Sequence, residues 1–220
     1  MSDHDTVRDR IVDTAIALGE RDCWETVRLH EVASELGISL DEIRHHFREK
    51  EDIVEAWFDR ADGAMLAEAE RLAFAHLPTR ARLHRLIMAW LDALAPHRRV
   101  TREMIHGKLE PGHLHIQIPG LLRVSRTVQW VREAAHRDAS FVHRALEETG
   151  LTTIYLMSFV HWMYDDSEDA ERTRRFLDER LEMAESLNRW VFHRHGECCA
   201  RRGVRARRDA SHPSGKESVS

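Results

Sequence analysis

Between Arg28 and Lys50 the chain sets many polar side chains at close spacing: Arg28, Ser39, Asp41, Glu42, Arg44, His45, His46, Arg48 and Lys50, with apolar Leu40 among them. Arg, Lys and His donate to phosphate oxygens and to base edges, Ser caps a helix, and a carboxylate either caps or accepts from a base amine. The chemistry on offer is recognition of a polyanion. A second set lies further on. Trp90, His113, His115, Gln117, Arg123, Ser125, Gln129 and Trp130 combine large rings with a few polar groups, the composition of a small-molecule pocket between helices. The alternation His113-x-His115-x-Gln117 puts three polar side chains on one side if that segment is extended. It reads as a loop, as a pocket wall, or as a metal site short of a third ligand. There is no G-x-S-x-G, no H-E-x-x-H and no Gly-rich phosphate loop, so no enzyme, cofactor or metal ion is expected. The three cysteines, Cys23 and the adjacent Cys198–Cys199, offer neither a bridge framework nor a zinc spacing.

The elements that must position these residues are helical. Gly is 10 and Pro 5 among 220 residues, and apolar positions recur at three and four rather than at two, so an all-α fold of about nine helices is expected. Val7, Ile11, Ala15 and Leu18 form the stripe of a first helix, weakened near its end by Gly19. A short helix over about 29–36 should stop at Gly37, and Ser39 with Glu42 three residues on makes a capping box for the next. Helix, glycine turn and helix within about twenty residues is a helix-turn-helix. From Lys50 a long fourth helix is expected to run to about Phe74. Prolines divide the middle into helices over about 79–94, 97–108 and 119–137, and Glu110–Pro119 has no helical period. Leu151–Tyr164 is apolar almost all round, which predicts burial by its own subunit and a second one. A last helix over about 167–193 carries Leu177, Leu181, Ala184, Leu187 and Val191 on one stripe; Asp165–Asp169 caps it or forms an acidic metal site. After Gly196 the Arg-rich tail is expected to be disordered, and there is no internal repeat.

The segment VASELGISLDEIRHHFREKEDIV, Val32–Val54, resembles the DNA-binding end of the TetR family of bacterial repressors. Ala33, Leu36, Gly37, Ile38, Ser39, Ile43, His45, Phe47, Lys50 and Ile53 stand where that family's pattern asks for those types. The resemblance implies a three-helix DNA-binding domain over 1–49 and a helical ligand-binding and dimerisation domain over 50–195, followed by the tail over 196–220. It implies a homodimer, joined through about 151–192, on a pseudo-palindromic double-stranded operator, released by a small apolar effector. The reading helix would be about 39–46, presenting Ser39, Leu40, Asp41, Glu42, Arg44, His45 and His46, with Arg28, Arg48 and Lys50 at phosphates. For the Arg48–Glu51 run a solvated charged turn is the other reading. Asp41 and Glu42 stand where the family usually has Gly-Thr; they either cap the helix and favour its dipole or accept from cytosine N4.

Charge separates the segment from its surroundings. Residues 1–60 hold 8 Lys plus Arg against 16 Asp plus Glu, a formal -8, whereas 28–50 hold 4 against 5 with three histidines. A reading head with that field binds DNA in a strongly salt-sensitive way. The runs LAPHRR (Leu94–Arg99), TVQWVREAA (Thr127–Ala135) and Tyr155–Leu181 are similar to a TetR-fold accessory protein of ubiquinone biosynthesis that holds isoprenoid lipid without binding DNA. That likeness implies the alternative function. No stretch is long and apolar enough for a membrane span, and Met1–Arg10 is charged throughout, so a cytoplasmic location is expected.

Overall fold

Apolar residues at helical spacing bury one face of each element around a shared interior, and the computed structural model describes this for residues 3–71, 73–109, 126–135 and 141–187. Among these the regular structure is helical: α1 (Asp3–Arg21), α2 (Leu29–Leu36), α3 (Leu40–His46), α4 (Lys50–Ala69), α5 (Thr79–Leu94), α6 (Arg98–Leu109), α7 (126–134), α8 (Phe141–Met163) and α9 (171–187). Met1–Asp178 forms one compact unit and a second begins at Glu179, within α9.

Three boundaries differ from expectation. α4 ends at Ala69, and Phe74 lies instead in a separate 3-10 turn, Phe74–His76, where it is buried. An apolar residue at helical spacing need not share the helix that precedes it. α8 starts ten residues before the apolar run at Leu151, because polar residues continue the same helix. α9 begins after a 3-10 turn, Glu168–Ala170, in which Asp169 and Ala170 take left-handed backbone at φ 50° and 52°, so right-handed helical backbone is interrupted before the helix starts. The tail at 196–220 and the whole of the predicted loop at 110–119 lie outside the described residues.

The interior joins α4, α5 and α8 through rings. Phe58 stacks on Trp90 with centroids 5.8 Å apart, and Tyr155 and Phe159 meet the same indole edge-on at 5.3 and 5.4 Å. Such pairs add about 0.5–1.5 kcal/mol each beyond the area they bury. Two of the indole N–H groups are tied to neighbouring helices. Trp90 Nε1 donates to Asp62 Oδ1 at 2.8 Å, and Thr127 Oγ1 of α7 donates to the same oxygen at 3.0 Å. Trp57 Nε1 donates to Thr101 Oγ1 of α6 at 3.0 Å, tying α4 to α6.

Leu151, Tyr155, Phe159, Trp162 and Met163 of α8 are buried, whereas Leu156, Met157 and Val160, with Tyr164 just past its end, are exposed. Among the described residues, therefore, one side of the helix expected to be covered on all sides is covered. The uncovered residues follow a helical spacing, so they form a continuous apolar stripe.

Candidate nucleic-acid interface

The helix-turn-helix is closed by local bonds that follow from its sequence. Gly37 takes φ 65°, the left-handed position a side chain resists, and its N–H and that of Ile38 return to the carbonyls of Ser34 and Ala33. Ser39 then accepts from the Glu42 amide at 3.0 Å and starts α3. At the head of α2, Glu31 accepts from the Arg28 amide at 3.0 Å. Ile43 and Phe47 are each 1% exposed and hold α3 to the domain, with the Arg8 guanidinium over the Phe47 ring. Packing thus fixes one side of a seven-residue helix and frees the other.

The free side carries Leu40, Asp41, Arg44 and His45. Arg44 Nε and Nη2 both donate to Asp41 Oδ1, at 3.1 and 2.9 Å. That hydrogen bond, and the charge of Arg44 behind it, hold the Asp41 carboxyl below its usual range. His45 Nδ1 lies 2.7 Å from the Asp41 carbonyl, which fits an Nδ1–H donor and leaves Nε2 outward. His46 is different. Its side chain is 2% exposed and its Nε2 faces Glu42 Oε1 at 3.4 Å, so this residue is turned inward from the surface that Arg44 and His45 share.

Two of the three flanking cations, Lys50 and Arg28, are anchored. Lys50 Nζ donates to the carbonyls of Trp24, Glu25 and Val27 at 2.5, 3.3 and 3.1 Å, one acceptor for each donor an ammonium carries, and lies 4.8 Å from the centre of the Trp24 ring. Partial burial, and then the charge of Arg28, lower its pKa. Arg28 Nη1 donates to the Glu25 carbonyl at 2.6 Å. The Arg48 and Glu49 amides both donate to Asp52 Oδ2, at 2.8 and 3.3 Å, which fixes the turn into α4 and leaves the Arg48 side chain at the exposed rim.

Much of the acidity of α1 is spent within the fold. Arg60 of α4 donates to Asp13 at 2.5 Å and to Asp9 at 3.0 Å. α6 contributes the contacts that sequence reasoning missed. Arg99 Nη2 caps the end of α1 through the carbonyls of Gly19 and Glu20, at 2.9 and 2.5 Å, and Glu103 accepts from the Trp24 amide at 2.8 Å. Gly19 has a reason beyond helix weakening: a Cβ there would stand 3.2 Å from Val100 and 3.3 Å from Trp24. The other side of α6 reaches the far end of α8, where Arg98 donates to the Asp165 carbonyl and its guanidinium covers Trp162. Long-range bonds of this kind leave no periodic signal in a sequence.

The second predicted set is only partly described. Trp90 is buried in the ring cluster, Gln129 and Trp130 are exposed on α7, and His113, His115, Gln117, Arg123 and Ser125 lie outside the described residues. Asp165, read as a cap or as part of an acidic metal site, is a cap. Its carboxylate accepts from the amides and hydroxyls of both Ser167 and Thr173, at 2.6–2.9 Å. Burial alone would raise its pKa, but these four bonds outweigh it and hold the group far below the carboxylate range.

Known structures share this arrangement. That of the TetR transcriptional regulator from Nitrosomonas europaea ATCC 19718 matches with a TM-score of 0.74 and 56% sequence identity, covering 82% of this chain and 98% of that one. A TetR regulator from Rhodococcus sp. RHA1 matches at 0.59 with 17% identity, over 80% of this chain and 97% of that one. A tetR-family regulator from Streptomyces coelicolor also matches at 0.59 with 17% identity, over 86% and 85%. At that identity the last two speak for the fold alone. The COQ9 family model matches residues 139–188, and no curated protein matches the chain.

Proposed function

The chain belongs to the TetR family of transcriptional regulators, and from that premise we propose that it works in the cytoplasm as a homodimeric repressor, binding a pseudo-palindromic operator through α3 and releasing it when a small apolar effector binds. The observation that carries this reading is the outward face of α3, where Arg44 and His45 are exposed while Ile43 and Phe47 anchor the helix. In this reading Arg44 and His45 donate to base edges, Leu40, 53% exposed, meets a thymine methyl, and Arg28, Arg48 and Lys50 supply positive charge at the phosphates. Residues 1–49 are the reading domain and 50–195 the effector and dimer domain. The stripe Leu156, Met157, Val160 and Tyr164 meets its own copy across a two-fold axis, since large exposed apolar patches mark association surfaces.

In this reading the effector binds beside Trp90 and α7, where Asp62 and Thr127 put polar groups among rings. Release requires only that the effector favour the dimer geometry in which the two heads no longer fit successive grooves. Binding, not catalysis, is the activity proposed.

Selection of fragments from the source genome by the purified protein, at low and moderate salt, tests this reading, with Arg44→Ala in parallel. Enrichment of one inverted repeat that the variant loses is the expected result; no enrichment from a folded dimer would overturn it. The COQ9 match over 139–188 motivates a second reading, a lipid-binding accessory protein of quinone biosynthesis. It requires isoprenoid or acyl lipid in the mass spectrum of the purified protein together with an absence of selected DNA.

A further inference from the structure

We propose that Asp41 is a positioning residue that holds Arg44 for a guanine, so that each operator half-site carries one G·C pair read by the Arg44–Asp41 unit; this rests on the reading that α3 contacts DNA. A guanidinium has five N–H donors in a planar fork. In the free protein Arg44 spends Nε–H and one Nη2–H on Asp41 Oδ1, at 3.1 and 2.9 Å. The edge left over is the Nη1/Nη2 pair, which matches the two acceptors, O6 and N7, that guanine shows in the major groove. Asp41 is itself held, because its carbonyl accepts from His45 Nδ1 at 2.7 Å and its carboxylate lies 3.7 Å from the same nitrogen.

Stability does not account for the pair. Both side chains are about two-thirds exposed, 69% and 66%, and an exposed ion pair one helical turn apart adds little to a fold. Its effect falls on the unbound reader, where it restrains a long side chain before DNA arrives and so reduces the freedom lost on binding. The carboxylate stays ionised throughout, since Arg44 lowers its pKa. Direct readout of cytosine by Asp41 would have to compete with two guanidinium donors already on Oδ1. Glu42 does not share the role, because its amide serves the Ser39 cap and its carboxylate faces the inward His46.

The test uses the full-length dimer and an operator selected from a randomised pool, then repeated with each G·C pair of the half-site changed to A·T. Wild type, Arg44→Ala, Asp41→Asn and Asp41→Ala are compared by fluorescence anisotropy at one salt concentration. At one position wild type should prefer G·C by roughly tenfold or more, and Arg44→Ala should abolish the preference. Asp41→Ala should lose most of it without gaining affinity for the selected operator, although it removes a negative charge from the interface. Asp41→Asn, which keeps an acceptor, should fall between. Tighter binding by Asp41→Ala to every sequence, with the guanine preference intact, would show a carboxylate that only repels DNA and would overturn the proposal. So would loss of a base preference on Asp41→Ala that Arg44→Ala leaves in place. If wild type selects no sequence, the reading of α3 fails first and the proposal with it.

Discussion

α3 and α8 both put a run of side chains into solvent, and the two runs are chemical opposites. On α3 the exposed groups are Leu40, Asp41, Glu42, Arg44 and His45, whose charges are met along their own helix. On α8 they are Leu156, Met157 and Val160, with Tyr164 beyond its last turn, apolar area left exposed among the described residues. Each helix is held by residues on its other side, Ile43 with the adjacent Phe47 in one case and Phe159 with Trp162 in the other. The fold needs neither exposed run, so both are free to serve partners, a polyanion for the first and a second copy of the chain for the second. The chemical difference predicts different failures. Damage to the apolar face should change the state of assembly, and damage to the polar face should change which DNA is bound.

The largest effect should come from Val160→Glu, which places a charge on the apolar stripe and, across a two-fold axis, opposite its own copy. Sedimentation should show a folded monomer, and operator affinity should fall by about 100-fold or more as one of two half-site contacts is lost. A variant that remained a dimer would remove this stripe from the interface. Next come the tryptophans, which separate buried from exposed positions within one residue type. Trp162→Ala should cost about 3–5 kcal/mol in urea unfolding, because a fully buried indole leaves a cavity, while Trp130→Ala, 46% exposed, should cost less than about 1 kcal/mol.

Asp165→Ala should cost about 2–3 kcal/mol, since it strands donors on Ser167 and Thr173 at the entry to α9. Its pH dependence has a definite sign. The folded pKa is depressed, so the stabilisation is complete above the unfolded value of about 3.9 and is lost as pH falls below it. The gap in stability between wild type and Asp165→Ala should therefore narrow steadily as pH falls from about 4 to about 2, and a constant gap over that range would contradict the assignment. A smaller effect than that of Asp165→Ala is expected for Lys50→Met. Loss of its three carbonyl acceptors should cost roughly 1–2 kcal/mol of stability. If its charge also serves a phosphate, operator binding should weaken evenly across sequences and the salt slope should become shallower by about one per half-site. An unchanged slope would leave Lys50 as the clip between α4 and the Trp24 turn alone.

What was legible in the sequence was what local chemistry determines. Gly37 and the Ser39 cap mark the turn and the start of α3, each through bonds within five residues, while the expected return bond from the Glu42 carboxylate is replaced by its contact with His46. Apolar spacing located the helices, but Phe74 and the polar beginning of α8 show that a hydrophobic stripe marks burial more faithfully than helix ends. At the interface, residue type identified Arg44 and His45 as outward donors. The same reasoning could not separate His46 from its neighbour, because one step of about 100° around the helix decides which imidazole faces solvent. It also could not find the bonds from Arg99 and Glu103 to α1 and the Trp24 turn, which join residues about eighty positions apart. The Asp41–Arg44 pair was within sequence reach, at a three-residue helical spacing. What needed the structure was that both groups lie on the free side of α3.

Nuclease footprinting of the selected operator asks whether the polar and apolar faces work together as described. Two protected half-sites related by a dyad, their centres about one helical turn of DNA or a multiple of it apart, are the predicted pattern for two α3 helices carried by one dimer, with Arg44→Ala removing both together. Protection of a single unpaired segment, or protection that Arg44→Ala leaves in place, would contradict it.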